Sequence, residues 1–271
     1  GILPMLAHTF EKHSAKIKYP CFGNRKFDGI RIIGIVKDGK CSLWSRSRKR
    51  VNSLPHLEKE LESLGIDLVT DGEAYNHKYK ENFEEIVSIV RQEEPVDNCT
   101  EVEYHVYDLI NNAQQYERYN KLQDIFPNDL EYIKLAKIVL LTDKEKVDKF
   151  FEECLEEGYE GAILRNCNAL YVNKRSTDLI KLKVMQDSEF PIVGITEGRG
   201  KLMGHAATFI CKTPEGKTFE AKMKGELSNL KRYFEDHSLW ENKKLTVQYQ
   251  CLSAEDKIPR FPIGLRIRQE E

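Results

Sequence analysis

Lys26-Phe27-Asp28-Gly29-Ile30-Arg31 sets a lysine and an acid two residues apart and follows them with a glycine and an arginine. Side chains of an extended backbone repeat their direction every second residue, so Lys26 and Asp28 are expected on one face. Gly29 permits a turn or a close approach to a ligand, and Arg31 adds a planar cationic fork. A lysine held beside an acid and a second cation is the arrangement a nucleophilic amine needs to attack phosphorus. A surface hairpin turn is the simpler explanation, because Asp-Gly is a common turn dipeptide. Chance matches to four fixed residue types are rare in a chain of this length, below ~1 % at ordinary residue usage.

Further segments follow in a fixed order. Asp71-Gly72-Glu73 comes after a short apolar run, and Tyr104-His105-Val106-Tyr107-Asp108 reads as a strand ending in an aromatic and an acid. Glu160-Gly161-Ala162-Ile163-Leu164-Arg165 begins just after a helix. Lys181-Leu182-Lys183 puts two lysines on one strand face, and Arg260-Phe261-Pro262 leads into Arg266 and Arg268. This ordered set resembles the covalent nucleotidyltransferase superfamily, and within it the ATP-dependent DNA ligases of the small phage or viral type. The resemblance covers nearly the whole chain. Each motif is weak alone; their order and spacing make the match specific.

The resemblance implies an α+β nucleotidyltransferase domain with antiparallel sheets over residues 1–186, followed by an OB-fold barrel over 187–271. The elements read from the residues agree. Ile30–Val36 and Cys41–Ser45 flank the turn Asp38-Gly39 as a hairpin. Ser53 is a candidate cap for a helix carrying Leu57, Leu61 and Leu64, stopped by Gly65. Phe83, Ile86, Val87 and Val90 mark a second helix. Thr142 and Glu145 form a candidate capping box for a third, carrying Val147, Phe150, Phe151, Cys154 and Leu155, stopped by Gly158. Strands are expected at 66–75, 101–110, 161–165 and 178–185. After Gln186 the expected elements are short strands at Ile192–Ile195, Ala206–Lys212, Thr218–Met223, Leu245–Cys251 and Leu265–Arg268. With one helix at 226–236, they fit a five-stranded OB barrel.

The resemblance also implies a reaction. Lys26 attacks the α-phosphorus of ATP to give lysyl-AMP; AMP passes to a 5′-phosphate; an adjacent 3′-hydroxyl seals the strand. A free lysine, with a pKa near ~10.4, is mostly protonated at neutral pH, and cations such as Arg31, Lys181 and Lys183 are expected to depress that value and to neutralise phosphate charge. Asp28 serves the later steps. Asn24, on the Lys26 face, accepts from the adenine amino group; Tyr107 stacks on the purine; Arg31 and Glu73 contact the ribose; Arg165 stands where a lysine is common. Glu160 and Asp108 hold Mg²⁺, with Mn²⁺ as an alternative, since hard cations prefer carboxylate oxygens. Arg46 meets the 5′-phosphate at the nick, and Arg48, Lys174 and Arg175 line the DNA side. Arg266 or Arg268 orients pyrophosphate. The C-terminal Arg268-Gln269-Glu270-Glu271 departs from the family's Arg-x-Asp-Lys, with Glu for Asp and no lysine.

Composition limits the alternatives. A net charge of −2 means the chain is not a bulk polycation, so any DNA-binding charge has to be segregated onto one face. The seven cysteines are scattered without a C-x-x-C pair, which argues against a disulfide framework or a structural zinc and for an intracellular, reducing setting such as the cytoplasm of a phage- or virus-infected host. No apolar run approaches the ~18 residues of a membrane span. The expected protein is a monomer acting on nicked double-stranded DNA, with no membrane partner. The rival readings are an RNA ligase or mRNA-capping guanylyltransferase of the same superfamily, and a non-catalytic OB-fold nucleic-acid-binding protein.

Overall fold

Asp38 and Gly39 adopt φ of 52° and 78°, the paired left-handed geometry of a two-residue hairpin turn. That turn joins two strands of a six-stranded sheet in the computed structural model, which describes residues 1–183, 186–249, 252–253, 255–259 and 262–268. Arg260-Phe261, Cys251 and Gln269-Glu270-Glu271 lie outside the described residues. The strands are β1 (Leu6–Thr9), β2 (Cys21–Lys26), β3 (Ile30–Lys37), β4 (Lys40–Ser45), β5 (Arg50–Val51), β6 (Leu68–Tyr75), β7 (Glu103–Leu109), β8 (Ile133–Leu135), β9 (Val139–Leu141), β10 (Gly161–Asn166) and β11 (Arg175–Lys183). The helices among them are α1 (Phe10–His13), α2 (Pro55–Glu62), α3 (Phe83–Val90), α4 (Gln115–Ile125) and α5 (Lys144–Glu156). The remaining elements are β12 (Gln186–Glu197), β13 (Ala206–Lys212), β14 (Thr218–Met223), α6 (Leu227–Glu235), β15 (Lys244–Tyr249) and β16 (Ile263–Ile267). The chain divides into two compact units, Gly1–Leu182 and Lys183–Glu271.

The first unit holds two sheets, ordered β5-β4-β3-β6-β7-β8 and β1-β11-β10-β2-β9. Alternation along β3 and β6 sends Ile32, Val36, Leu68 and Ala74 into a core with Leu57, Leu61, Ile86 and Leu122 of α2, α3 and α4. The opposite face is left to Arg31, Asp71 and Glu73. In the second sheet Cys21, Leu164, Ile180 and Leu182 pack on Val147, Phe150 and Cys154 of α5, which turns Asn24, Lys26 and Lys181 the other way. The pairs β1·β11 and β7·β8 are parallel, whereas β2 pairs antiparallel with β10 and β9, and β3 with β4 and β6. The second unit is a closed barrel, β12-β13-β14-β16-β15, filled by Phe190, Phe209, Phe219, Leu245 and Val247 and plugged at Leu230 of α6. This is the OB-like barrel, with β14·β16 as its parallel closure.

Two expected caps are replaced. Ser53 is buried and donates its hydroxyl to the Val90 carbonyl at 2.7 Å, so α2 starts instead at Pro55, where the missing N–H costs nothing. Asp143, not Thr142, caps α5 by accepting from the Lys146 N–H at 2.9 Å. Gly158, at φ 87°, ends that helix as expected.

Lys26 is the last residue of β2, and Phe27-Asp28-Gly29 turns the chain out of one sheet and into β3 of the other. Gly29 is required there by crowding: a Cβ would sit 2.2 Å from the Ala74 carbonyl oxygen. Gly29→Ala is expected to destabilise the first unit by about 1–3 kcal/mol, because backbone has to shift to admit the methyl group. Urea unfolding of the two proteins measures this, and matching midpoints would show the turn to be tolerant.

Candidate active site

β2 and β10 pair antiparallel with Lys26 opposite Gly161, so the residue just before β10, Glu160, arrives beside the lysine. Its Oε2 accepts from Lys26 Nζ at 2.8 Å. Across the turn, β3 and β6 pair Arg31 with Glu73. Between Asp71 and Gly72 the β6·β7 register slips by one, leaving Tyr107 as an extra residue on β7. Such a bulge re-aims side chains, and Tyr107 here joins the cleft wall. Lys26, Arg31, Glu73, Tyr107, Arg165 and Lys181 all line one cleft of about 1420 Å³ within the first unit.

Most of these groups are held by a second layer of polar contacts. Arg31 grips Asp71 in a two-pronged pair, Nε to Oδ1 at 2.8 Å and Nη2 to Oδ2 at 2.6 Å, and also donates to the Met5 carbonyl. Tyr171 donates its hydroxyl to Asp71 Oδ2 at 2.7 Å. Arg31 and Arg165 lie over the Tyr107 ring at 5.6 and 5.0 Å from its centre. Burial keeps the Tyr107 hydroxyl protonated well above the usual tyrosine range. Arg165 donates from Nε to Asn24 Oδ1 at 3.2 Å and from Nη1 to Asp108 Oδ2 at 3.1 Å.

Glu73 accepts from the Gly29 N–H at 3.1 Å and from the Tyr107 hydroxyl at 3.4 Å. Burial raises its carboxyl from the ordinary 4.5 to about 7, against the pull of Arg31 and Lys26. A carboxyl that binds its proton more tightly when folded contributes stability that is complete below the unfolded value and is lost as pH rises through the folded one. Glu73→Gln is therefore expected to gain on the parent between about pH 5 and pH 8 in calorimetric melting, since the glutamine cannot ionise. A melting difference independent of pH would contradict this.

A family model for the ATP dependent DNA ligase domain matches residues 4–183. The chain belongs to the ATP-dependent DNA ligase family. The DNA ligase of African swine fever virus (isolate Warthog/Namibia) is 30 % identical over 261 residues, covering 87 % of this chain. The chain spans 60 % of that relative's length. The DNA ligase of Haemophilus influenzae is 26 % identical over 217 residues, covering 78 % of this chain and 75 % of that protein. Among solved structures, Chlorella virus DNA ligase–adenylate superposes with a TM-score of 0.56 at 20 % identity, covering 100 % of this chain and 99 % of its own. A Lig E DNA ligase does so with a TM-score of 0.59 at 22 % identity, covering 98 % and 99 %. At those identities the structural likeness speaks to the fold.

Of the residues named from sequence, some line this cleft and others do not. Asn24, Arg46 and Arg175 join the six above on the cleft wall. Asp28 does not: β2 ends before it, so the alternation expected to carry it with Lys26 is broken by the turn, and its side chain is exposed outside the cleft lining. Asp108 is corrected as a metal ligand. It is fully buried, and its oxygens accept from Arg118 Nε at 2.9 Å and Arg165 Nη1 at 3.1 Å, which leaves a cation two guanidinium groups to displace. Arg48, at φ 63°, donates to the Gly1 carbonyl, and Lys174 is exposed; neither lines the cleft. Lys183 also lies outside the cleft lining, on the face of β11 shared with Lys181. On the barrel Arg266 is exposed beside a smaller pocket of about 680 Å³, and Arg268 pairs with Glu189. Sequence reading missed Arg118, Gln115 and Tyr171 altogether. Lys49, Arg50 and Arg91 extend the basic wall next to Arg46; the run of charges at 46–50 is a signal for the first two, and nothing in the sequence singles out Arg91.

Proposed function

We propose that this chain is an ATP-dependent DNA ligase that seals 5′-phosphate/3′-hydroxyl nicks in duplex DNA through a lysyl-AMP and a DNA-adenylate. The supporting observation is that Lys26, an obligate nucleophile in this reading, stands with Arg31, Glu73, Tyr107 and Lys181 on the walls of one cleft. The unit Gly1–Leu182 is the nucleotidyltransferase part and the unit Lys183–Glu271 carries the barrel.

In the first step the deprotonated Lys26 amine bonds to the α-phosphorus of ATP and the bond to pyrophosphate breaks. Before ATP arrives, the Lys26 ammonium donates to Glu160, and attack requires that proton to leave. Tyr107 stacks on the purine, with Arg31 and Arg165 packed against its ring. Lys181 offsets the negative charge that builds on the phosphate. In the second step an oxygen of the DNA 5′-phosphate attacks the same phosphorus and the N–P bond breaks, returning the amine. In the third, the 3′-hydroxyl attacks the 5′-phosphorus and AMP departs. Arg46, exposed at the cleft edge beside Lys49 and Arg50, holds the 5′-phosphate.

Among the described residues no three His, Cys, Asp or Glu side chains gather into a metal cage. Mg²⁺ needs none, since it takes one or two carboxylates and fills its shell with water and phosphate oxygens. Glu160, partly exposed beside the nucleophile, fits that demand. The ion, when bound, neutralises phosphate charge. Among the described residues no helix is long and apolar enough to cross a membrane. We assign the chain to the cell interior as a monomer.

Gel sealing of a 5′-phosphorylated nick with ATP and magnesium tests the reading. Joined product is expected on DNA; sealing confined to RNA, or label taken up from GTP in place of ATP, would move the chain to another branch of the superfamily.

A further inference from the structure

A primary amide carries an oxygen acceptor and an NH₂ donor of nearly the same size. An asparagine free to rotate can therefore satisfy adenine, with its amino donor at position 6, or guanine, with its oxygen acceptor there. Only an amide that cannot flip tells the two apart.

Asn24 is 1 % exposed and lines the cleft. Its Oδ1 accepts from Arg165 Nε at 3.2 Å, and its Nδ2 donates to the Arg25 carbonyl at 2.8 Å. A guanidinium N–H only donates and a carbonyl only accepts, so a flipped amide would face donor with donor and acceptor with acceptor. One lone pair and one N–H of Asn24 remain for a ligand.

Arg165 is itself fixed. Its Nη1 donates to Asp108 at 3.1 Å, and Asp108 is held by Arg118 Nε at 2.9 Å, Gln115 Nε2 at 3.2 Å and the Leu109 N–H at 2.8 Å. Arg118, fully buried on α4, spends its other donors on the carbonyls of Ala113 and Ala169 and on Gln115 Oε1. Neither Asp108 nor Arg118 lines the cleft. A buried ion triad of this kind is a poor source of net stability, because desolvation offsets the attraction. What it does supply is a single arrangement of donors and acceptors ending at one amide.

We propose that the buried series Arg118–Asp108–Arg165 is a base-specificity device: it locks the Asn24 amide in one orientation, so that the cleft admits adenine and rejects guanine. Arg118 and Asp108 are positioning residues, acting on the base only through Arg165 and Asn24. The inference rests on the ATP reading of the cleft and adds to it the source of the base choice.

The test uses the full chain carrying Lys26→Ala, which cannot consume the nucleotide, and measures dissociation constants for ATP and GTP by calorimetry. That parent is expected to prefer ATP. Arg165→Met, added to it, leaves Asp108 its Arg118 partner but frees the amide, and the ATP-over-GTP preference is expected to fall roughly tenfold, the scale of one mismatched hydrogen bond. Asp108→Asn, which loosens Arg165 from behind, is expected to shift the preference the same way. Should either variant fail to melt cooperatively, Arg165→Lys, whose flexible ammonium lacks the rigid fork spanning Asn24 and Asp108, is scored by the same ratio. Equal weakening for both nucleotides, or an unchanged ratio, overturns the lock and leaves the network structural. A parent that binds both nucleotides equally overturns it too, whereas one that binds neither negates the nucleotide reading itself.

Discussion

Lys26→Ala is expected to lose all transfer of labelled AMP from ATP to protein and to reduce nick sealing with ATP by roughly 10³-fold or more, the scale of removing a covalent nucleophile. A nick supplied with its 5′-phosphate already adenylylated bypasses that loss, so its sealing is expected to persist in the same variant. Lys26→Arg should fail in the first assay just as fully, because a guanidinium stays protonated and has no free lone pair to offer. Folding is not the cause of either result. Lys26 is partly exposed, and removing it costs the fold one hydrogen-bonded ion pair with the partly exposed Glu160, worth about 0–1 kcal/mol. Thermal melting beside the two activity assays separates the effects. Loss of sealing on the pre-adenylylated nick to the same degree would mean that Lys26 does not act as the nucleophile.

The second large effect is expected at Asp71. Its side chain is fully buried and accepts from both prongs of Arg31 and from the Tyr171 hydroxyl. Asp71→Ala leaves a mostly buried guanidinium without its counter-charge, a change that typically costs about 3–5 kcal/mol. For a unit of this size that corresponds to a melting temperature lower by about 10 °C or more. The consequence reaches the cleft, because Arg31 lies over the Tyr107 ring. Loosening the arginine loosens the platform, and KM for ATP is expected to rise more than kcat falls. The double variant Arg31→Met with Asp71→Ala should be less damaged than the sum of its parts, since the unpaired charge is gone. Strict additivity in urea unfolding would show that the two residues do not act as a pair.

Much of the cleft was legible in sequence because its parts sit on short, regular strands where alternation decides the facing. Asn24 and Lys26 share a face on β2, and the apolar residues between Lys181 and its neighbours give β11 its orientation. The hairpin at Asp38-Gly39 was legible because only a left-handed turn suits those residues. Alternation misleads where a strand stops, and Asp28 shows it. β2 gives way to a turn two residues before Asp28, and nothing in Phe27-Asp28-Gly29 distinguishes a turn between sheets from a strand that continues.

Asp108 illustrates a different limit. The resemblance makes this acid a metal ligand until its partners are known, and those partners are Arg118, ten residues on in α4, and Arg165, 57 residues on in β10. α4 itself escaped notice because the face it buries carries Gln115 and Arg118 beside Tyr119 and Leu122, so no apolar stripe marks it. Tyr171, the second support of Asp71, lies in a loop before β11 with no local pattern to single it out. The caps of α2 and α5 differ from expectation for tertiary reasons: Ser53 is claimed by the Val90 carbonyl, and Asp143 reaches the Lys146 N–H ahead of Thr142.

Peptide mapping by tandem mass spectrometry, after incubating the intact protein with ATP and magnesium without DNA, is the most direct check on where the nucleotide bonds. One AMP attached through nitrogen–phosphorus linkage to Lys26, and released when a 5′-phosphorylated nick is added, is the expected finding. AMP on any other side chain, or DNA sealed by protein that never carries it, would contradict a cleft built around that amine.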